Sequence, residues 1–352
     1  MPHSFAFRLR FVIASFLVPC AALAATPVAR AQGCTGDLNG DRTVDGADLG
    51  TLLGNWGGSG NSDFNGNGTV DGGDLGVMLG AWGACPVIVP AWATLVEAQP
   101  DPAVVTDPAL RAAITATGLA WRVRDTGTQM EMMLIPPGTF QMGCIMGSNQ
   151  YGCYSYEQPV HQVTLTNAFY LGRYEVTQAQ WVAKMGSNPS YFQGQSDSAS
   201  RPVEQVSWTT IQGYLGSTGF RLPTEAEWEF ACRAGTQTPF YNGSTDDNTV
   251  GALAWYSANS GYQTHAVGGK AVNGFGLYDM LGNVWEWVND WYDTYPSSAQ
   301  TNPTGPVSAS SYRVLRGGSW TYATGYVRSS YRSTGTPGNT RYSLGFRVAR
   351  TP

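Results

Sequence analysis

The sequence predicts an irregular α+β protein with little regular structure, preceded by a small helical pair of cation-binding loops. Three observations lead there. The chain holds 44 Gly and 12 Trp among 352 residues, and only 13% of its residues are charged. That mixture suits a loop-rich body pinned by aromatic anchors; a helical bundle tolerates so much interior Gly poorly. Second, the segment 37–56 recurs at 63–82, which sets off a unit of its own. Third, strand signals and capped helix starts follow one another beyond residue 119, as in a mixed domain.

The elements are justified in chain order. Arg8 and Arg10 precede an apolar run from Phe11 to Ala25, and Ala22-Leu23-Ala24 or Ala29-Arg30-Ala31 offers a cleavage site. Residues 1–31 therefore read as an export signal, and the mature protein as secreted, periplasmic or associated with the cell envelope. No later stretch approaches the roughly 18 apolar residues of a membrane span. Removal of the signal leaves Cys34, Cys85, Cys144, Cys153 and Cys232. In an oxidising compartment Cys34 and Cys85 would staple the ends of the repeat, and Cys144 and Cys153 would close a short loop. Cys232, in E-W-E-F-A-C, is expected to be a small buried apolar residue on a helix.

The formal charge is −5, and residues 37–74 hold seven Asp against Arg42 alone. The rest is close to neutral, which argues against nucleic acid as a partner. The acidic repeat supplies oxygen ligands at alternate loop positions. The first loop has Asp37, Asn39, Asp41, Thr43, Asp45 and Asp48 at positions 1, 3, 5, 7, 9 and 12; the second has Asp63, Asn65, Asn67, Thr69, Asp71 and Asp74. A hard cation of calcium's size takes about seven oxygens, with position 7 giving its carbonyl. The pattern resembles a dockerin more than a regulatory EF-hand, because position 12 is Asp and only an exiting helix (Leu49, Leu52, Leu53; Leu75, Met78, Leu79) follows each loop. The resemblance implies a receptor or envelope scaffold component as partner. Two departures stand out. Arg42 fills position 6, where a sharp turn favours Gly, so the first loop is expected to bind more weakly. Gly46-Ala47 and Gly72-Gly73 lack the side chains with which many dockerins grip their receptors.

Residues 86–118 hold five Pro and read as a semi-extended linker with a short helix at 108–117. Strands are expected at 120–124, 131–136 and 162–165. Thr177 caps a helix that stops before Gly186, and Thr224 with Glu227 forms a capping box for a helix that stops before Gly235. Trp181 and Trp228 should anchor these helices.

Four phrases then follow in order: R-L-P-T-E-A-E-W-E-F-A-C-R-A-G (221–235), N-G-F-G-L-Y-D-M-L-G-N-V-W-E-W (273–287), R-G-G-S-W (316–320) and L-G-F-R-V-A (344–349). Residues 119–352 thereby resemble the formylglycine-generating-enzyme, or sulfatase-modifying-factor, family. The resemblance implies an elaborated C-type-lectin-like fold. It also implies calcium within L-G-N-V-W-E-W, with Asn283 and Glu286 as side-chain ligands and Gly282 and Val284 as carbonyl ligands; the competing reading makes them satisfied buried polar groups in a turn. A second family calcium site maps onto Leu253, Ala254 and residues 259–261.

In the family's enzymes two cysteines after G-G-S bind copper(I) and engage a substrate thiol. Aligned on that phrase, their positions fall on Tyr322 and Val327, which cannot supply thiolates for copper(I). The iron chemistry of the related sulfoxide synthases needs clustered His, and this chain has only His3, His161 and His265. What the resemblance leaves is a peptide-holding groove, mapped onto Trp320, Tyr322, Tyr326, Arg328, Tyr331, Arg332 and Arg347. Aromatic faces and guanidinium forks serve equally as binding surfaces and as core anchors. The sequence thus points to a secreted, calcium-stabilised, non-catalytic binding or structural protein that holds a peptide, glycan or small molecule. The alternatives are a formylglycine-type oxidoreductase acting on sulfatase cysteines, with copper, or another oxidoreductase on the same fold. A third reading is a dockerin-borne component of a polysaccharide-degrading or envelope assembly.

Overall fold

The computed structural model describes residues 34–145, 151–307 and 310–352. The expected export signal lies outside them.

The repeat folds as two loop-and-helix halves. Strand β1 (Thr43–Val44) and helix α1 (Gly46–Gly54) belong to the first half, and helix α2 (Gly72–Gly80) to the second. Strand β2 (Gly83–Ala84) returns antiparallel to β1. Each helix starts in a capping box: Asp45 with Asp48, and Asp71 with Asp74. The residues that end each acidic loop therefore also satisfy the first free N–H groups of the helix. Val44, Leu52, Val70 and Met78 form a small core, and the Cys34–Cys85 disulfide closes the unit at a Cα–Cα distance of 5.5 Å. A core this small gains from such a staple.

Residues 86–118 are not a free linker. Strand β3 (Ala93–Glu97) pairs antiparallel with strand β4 (Arg122–Asp125), and Trp92 packs edge-on against Tyr170. Helix α3 (Pro108–Ala116) lies between them, with Pro in its first turn and Asp107 as cap. The reason lies in the spacing of the prolines, which leaves A-T-L-V-E uninterrupted to serve as an edge strand.

The body continues through β5 (Glu131–Ile135), β6 (Gly138–Met142), β7 (His161–Leu165) and β8 (Phe169–Gly172). Four helices follow: α4 (Gln178–Met185), α5 (Trp208–Thr218), α6 (Glu225–Arg233) and the single turn α7 (Val250–Leu253). Strands β9 (Trp285–Trp291), β10 (Gln300–Thr301), β11 (Arg313–Arg316), β12 (Arg332–Gly335), β13 (Leu344–Phe346) and β14 (Ala349–Arg350) complete it. They form sheets of order β14-β8-β5-β4-β3, β12-β11-β9-β13 and β10-β7-β6. The C-terminal strand β14 thus sits beside β8, and β13 runs parallel to β9. These closures bring all four signature phrases into one core.

Helix α4 begins at Thr177 and ends at Gly186, which takes the left-handed conformation that a C-terminal Gly allows. Helix α6 has the expected Thr224–Glu227 box, but Ala234, not Gly235, takes the left-handed position. Trp181 and Trp228 are both buried.

Candidate functional site

In the first acidic loop Asp37, Asp41 and Asp48 each offer a carboxylate oxygen, and these oxygens lie within 4.8 Å of one another. Asp37 accepts hydrogen bonds from the N–H groups of Gly40 (2.7 Å) and Arg42 (3.0 Å), which curls the loop around it. Asp48 is buried and accepts from Leu38 (2.7 Å), Asn39 (3.1 Å) and Asp45 (2.9 Å). Burial works against its charge, but the N–H groups of Asp45, Leu38 and Asn39 outweigh it and hold its carboxyl below the usual range. The second loop repeats the pattern on Asp63 and Asp74. This donor set, oxygen-only and more anionic than cationic, fits a hard divalent cation.

Arg42 does adopt the left-handed conformation, at φ 68°. That costs on the order of 1 kcal/mol. Its guanidinium donates to the Pro86 carbonyl at 2.6 Å, a bond of similar net worth. The reason to expect a weaker first loop is thereby largely removed.

The R-G-G-S-W segment crosses the body where the chain is closely packed. A Cβ added to Gly318 would lie 2.6 Å from Val327, so the two chain segments touch without room for a side chain. Val327 is fully buried, and Tyr322 packs edge-on against Trp285 and Tyr326. Tyr326 meets Tyr331 edge-on in turn, and the Tyr331 hydroxyl meets that of Tyr156 at 3.0 Å. Among the described residues the free cysteine is Cys232, on α6 and out of contact with solvent. Burial pushes its thiol up to about 12.

Most of the residues mapped to the expected groove are engaged inside the domain. Arg328 pairs with Glu157 (3.0 Å), Arg332 with Glu225 (2.6 Å) and Arg347 with Glu286 (2.6 Å), all buried. Trp320 and Tyr331 are buried too, the former donating to the Tyr342 carbonyl at 3.2 Å. Tyr322 and Tyr326 alone of the seven keep partial exposure. The carboxylate partners of these arginines lie far away in sequence, so the sequence alone left surface and core anchor equally open.

The polar groups of L-G-N-V-W-E-W are likewise engaged internally. Glu286 receives Arg347 on both oxygens and Trp228 Nε1 at 2.6 Å. Asn283 accepts from His265 N (3.0 Å) and donates to Glu175 (2.7 Å), which also accepts from Val284 N. Gly282 has φ 81° and passes against the Trp255 carbonyl, where a Cβ would come to 2.2 Å. The satisfied-turn reading therefore accounts for Asn283 and Glu286 without a cation. At the second mapped site, the Leu253 carbonyl accepts from Tyr241 (3.1 Å) and the Ala254 carbonyl from Asn259 (2.9 Å), while Ser260 bonds the Trp320 carbonyl.

Residues 119–352 match the sulfatase-modifying factor enzyme 1-like domain along its described extent. The chain belongs to the sulfatase-modifying-factor family. The mouse formylglycine-generating enzyme is 37% identical over 188 residues, which cover 48% of this chain and 50% of that enzyme. The serine/threonine-protein kinase pkn1 of Chlamydia caviae is 35% identical over 247 residues, covering 62% of this chain and 38% of the kinase. The chain thus spans half or less of these two relatives. Among solved structures, Treponema denticola variable protein 1 superposes with a TM-score of 0.57 at 33% identity, over 63% of this chain and 95% of that one. PvdO from Pseudomonas aeruginosa gives 0.54 at 27% identity, over 66% and 98%. An α+β fold of the formylglycine-generating-enzyme type follows for the family domain.

Sequence reasoning missed a set of buried carboxylates: Glu175, Glu204, Asp279 and Asp290. Asp290 lies in W-V-N-D-W, and an acid between the tryptophans of a largely buried strand was the available signal. Asp279 keeps one oxygen without a donor, and burial pushes its carboxyl up to about 6.

Proposed function

We propose that this chain is an exported, calcium-stabilised binding protein whose sulfatase-modifying-factor domain holds a ligand and does not oxidise cysteine. The observation that carries the reading is the state of the one free thiol among the described residues: Cys232 is buried in the core, and by the motif resemblance Tyr322 and Val327 fall on the positions of the enzymes' cysteines. Soft-metal chemistry needs an accessible thiolate, and a thiol pushed this high stays protonated. The test is to load the protein with copper(I) and calcium, add a peptide carrying Cys-x-Pro-x-Arg, and follow the peptide mass. An unchanged mass is expected. Conversion of the cysteine to an aldehyde would overturn the reading in favour of an oxidoreductase.

Calcium belongs to the two acidic loops in this proposal. Asp37, Asp41 and Asp48, and their counterparts Asp63, Asn67 and Asp74, would hold it, and its contribution is to neutralise carboxylates that otherwise repel. Titration calorimetry should give two sites in the wild type, one in Asp48→Asn and none in Asp48→Asn/Asp74→Asn.

A second reading, attachment through the repeat, is favoured by one observation. Leu53 in the last turn of α1 and Trp56 just beyond it are half-exposed, and Leu79 and Trp82 occupy the equivalent places at the end of α2. Two matched apolar pairs on a calcium-held unit suit docking to an envelope or scaffold component. Capture of one specific partner from the native secretome, lost in Trp56→Ala/Trp82→Ala, is the expected result.

A further inference from the structure

A cleft of about 380 Å³ opens between the start of α6, the end of β9 and the loop that carries Pro303, Gly305 and Pro306. Its size falls within the ~300–1,000 Å³ typical of small-ligand sites. Two carboxylates, Glu225 and Asp290, line its floor, and their surroundings differ. Glu225 is fully compensated: Arg332 donates to both its oxygens (2.8 and 2.6 Å), and the Tyr295 hydroxyl adds a third bond at 3.1 Å.

Asp290 is not. It is 4% exposed, and its Oδ2 accepts from the Glu225 N–H at 2.8 Å. Among the described residues no donor reaches Oδ1, and no cationic side chain lies within ion-pair distance. Gly305 passes against it as bare backbone; a Cβ there would lie 3.2 Å from Oδ1. The charged groups around Asp290 are Glu225 and Glu227 of α6, Arg332 of β12 and Arg313 of β11. His161 of β7, packed against Tyr295 with the rings tilted, also lines the cleft. Burial, then the like charge of Glu225, pushes the Asp290 carboxyl up to about 8.

We propose that this cleft binds a primary alkylammonium group, with Asp290 as its counter-ion. The charge of the lining supports the choice. Glu225, Asp290 and Asp293 face Arg332 alone, and Arg332 is already spent on Glu225. An anionic ligand would add to the negative charge of this lining, whereas a cation supplies the partner that the ionised form of Asp290 lacks. One free oxygen suits the point charge of an ammonium better than the two-pronged guanidinium, because Oδ2 is already bonded. Tyr295, Pro296, Pro303 and Pro306 give the alkyl stem apolar walls. The site holds whether or not the family domain proves catalytic.

Calorimetry at pH 7, in two buffers of different ionisation enthalpy, tests the proposal. The probes are 1,5-diaminopentane, Nα-acetyl-lysine methylamide and the neutral control 1,5-pentanediol. The amines should bind while the diol does not, and bound amine should release protons, because burial favours the protonated form of Asp290 and the ammonium displaces that proton. Binding of the diamine alone assigns the site to free amines; binding of both assigns it to lysine side chains as well. Asp290→Asn should weaken binding at least about tenfold and abolish proton release, whereas Asp293→Asn at the rim should change affinity less than about threefold. Equal binding of the diol, no binding of either amine, or binding without proton release would overturn the proposal. Proton release is read on the wild type, so a misfolded variant does not blunt the test.

Discussion

Arg316, Arg328 and Arg347 are wholly buried, and each meets a carboxylate that is also buried: Glu229, Glu157 and Glu286. Removing one partner of such a pair strands a charge, which costs far more than the pair contributes. Arg347→Ala should therefore destabilise the protein by about 3–5 kcal/mol in urea denaturation, and replacing Glu286 by Leu in the same chain should recover part of the loss. Cys232 makes a second prediction at this scale. Iodoacetamide should leave the native protein unlabelled and modify one thiol once it is unfolded, with both disulfides kept intact. These residues were poorly legible in the sequence. A cluster of Tyr and Arg reads alike as groove or core anchor, and the deciding partners lie 61 to 171 residues away.

Elements fared better where their signals are local. Thr177 and Thr224 announce α4 and α6 because a capping side chain bonds N–H groups within three residues. Helix α5 went unread because W-T-T-I-Q-G-Y-L-G-S-T is rich in Gly and β-branched residues. It forms on tertiary contacts, with Ile211 and Tyr214 buried and Tyr214 stacked on Trp181. The acidic loops stand out in the sequence because a period-two array of oxygens needs no distant partner, and three carboxylates of the first loop come together in the structure. Asp71 serves both as a loop position and as the cap of α2. Asp71→Ala should cost the repeat about 1 kcal/mol without calcium, the usual value of a cap. It should cost more with calcium present, which thermal melts in EDTA and in calcium will separate.

At the scale of the whole molecule, the buried carboxyls set the pH response. Burial raises Asp279 to about 6, Glu204 to about 7 and Asp290 to about 8. The folded state then holds protons that the unfolded chain has released. Their contribution is complete below the unfolded values near 4 and is lost as pH climbs through 6 to 8. Glu229 opposes this: burial works against its charge, yet Arg233 and Arg316 outweigh it and lower its carboxyl, so its stabilisation is lost in acid. Tm should accordingly peak on the acid side of neutrality and fall toward pH 8, and Glu204→Gln should flatten that fall. The segment before the family domain matters at this scale too. A chain begun at residue 119 loses β3, the Trp92–Tyr170 contact and the Arg122–Glu97 ion pair. Its Tm should drop by roughly 5–10 °C relative to a chain begun at 86.

The pairing of the signature phrases has a consequence for what a family match means. Arg316 of R-G-G-S-W grips Glu229 of E-A-E-W-E-F, and Arg347 of L-G-F-R grips Glu286 of V-W-E-W. The letters by which the family is spelled are thus the two halves of its internal clasps. A descendant can exchange its chemistry without touching them, and cannot easily touch them and stay folded. Kinship is thus written in the clasps of this chain, and occupation has to be read from other residues.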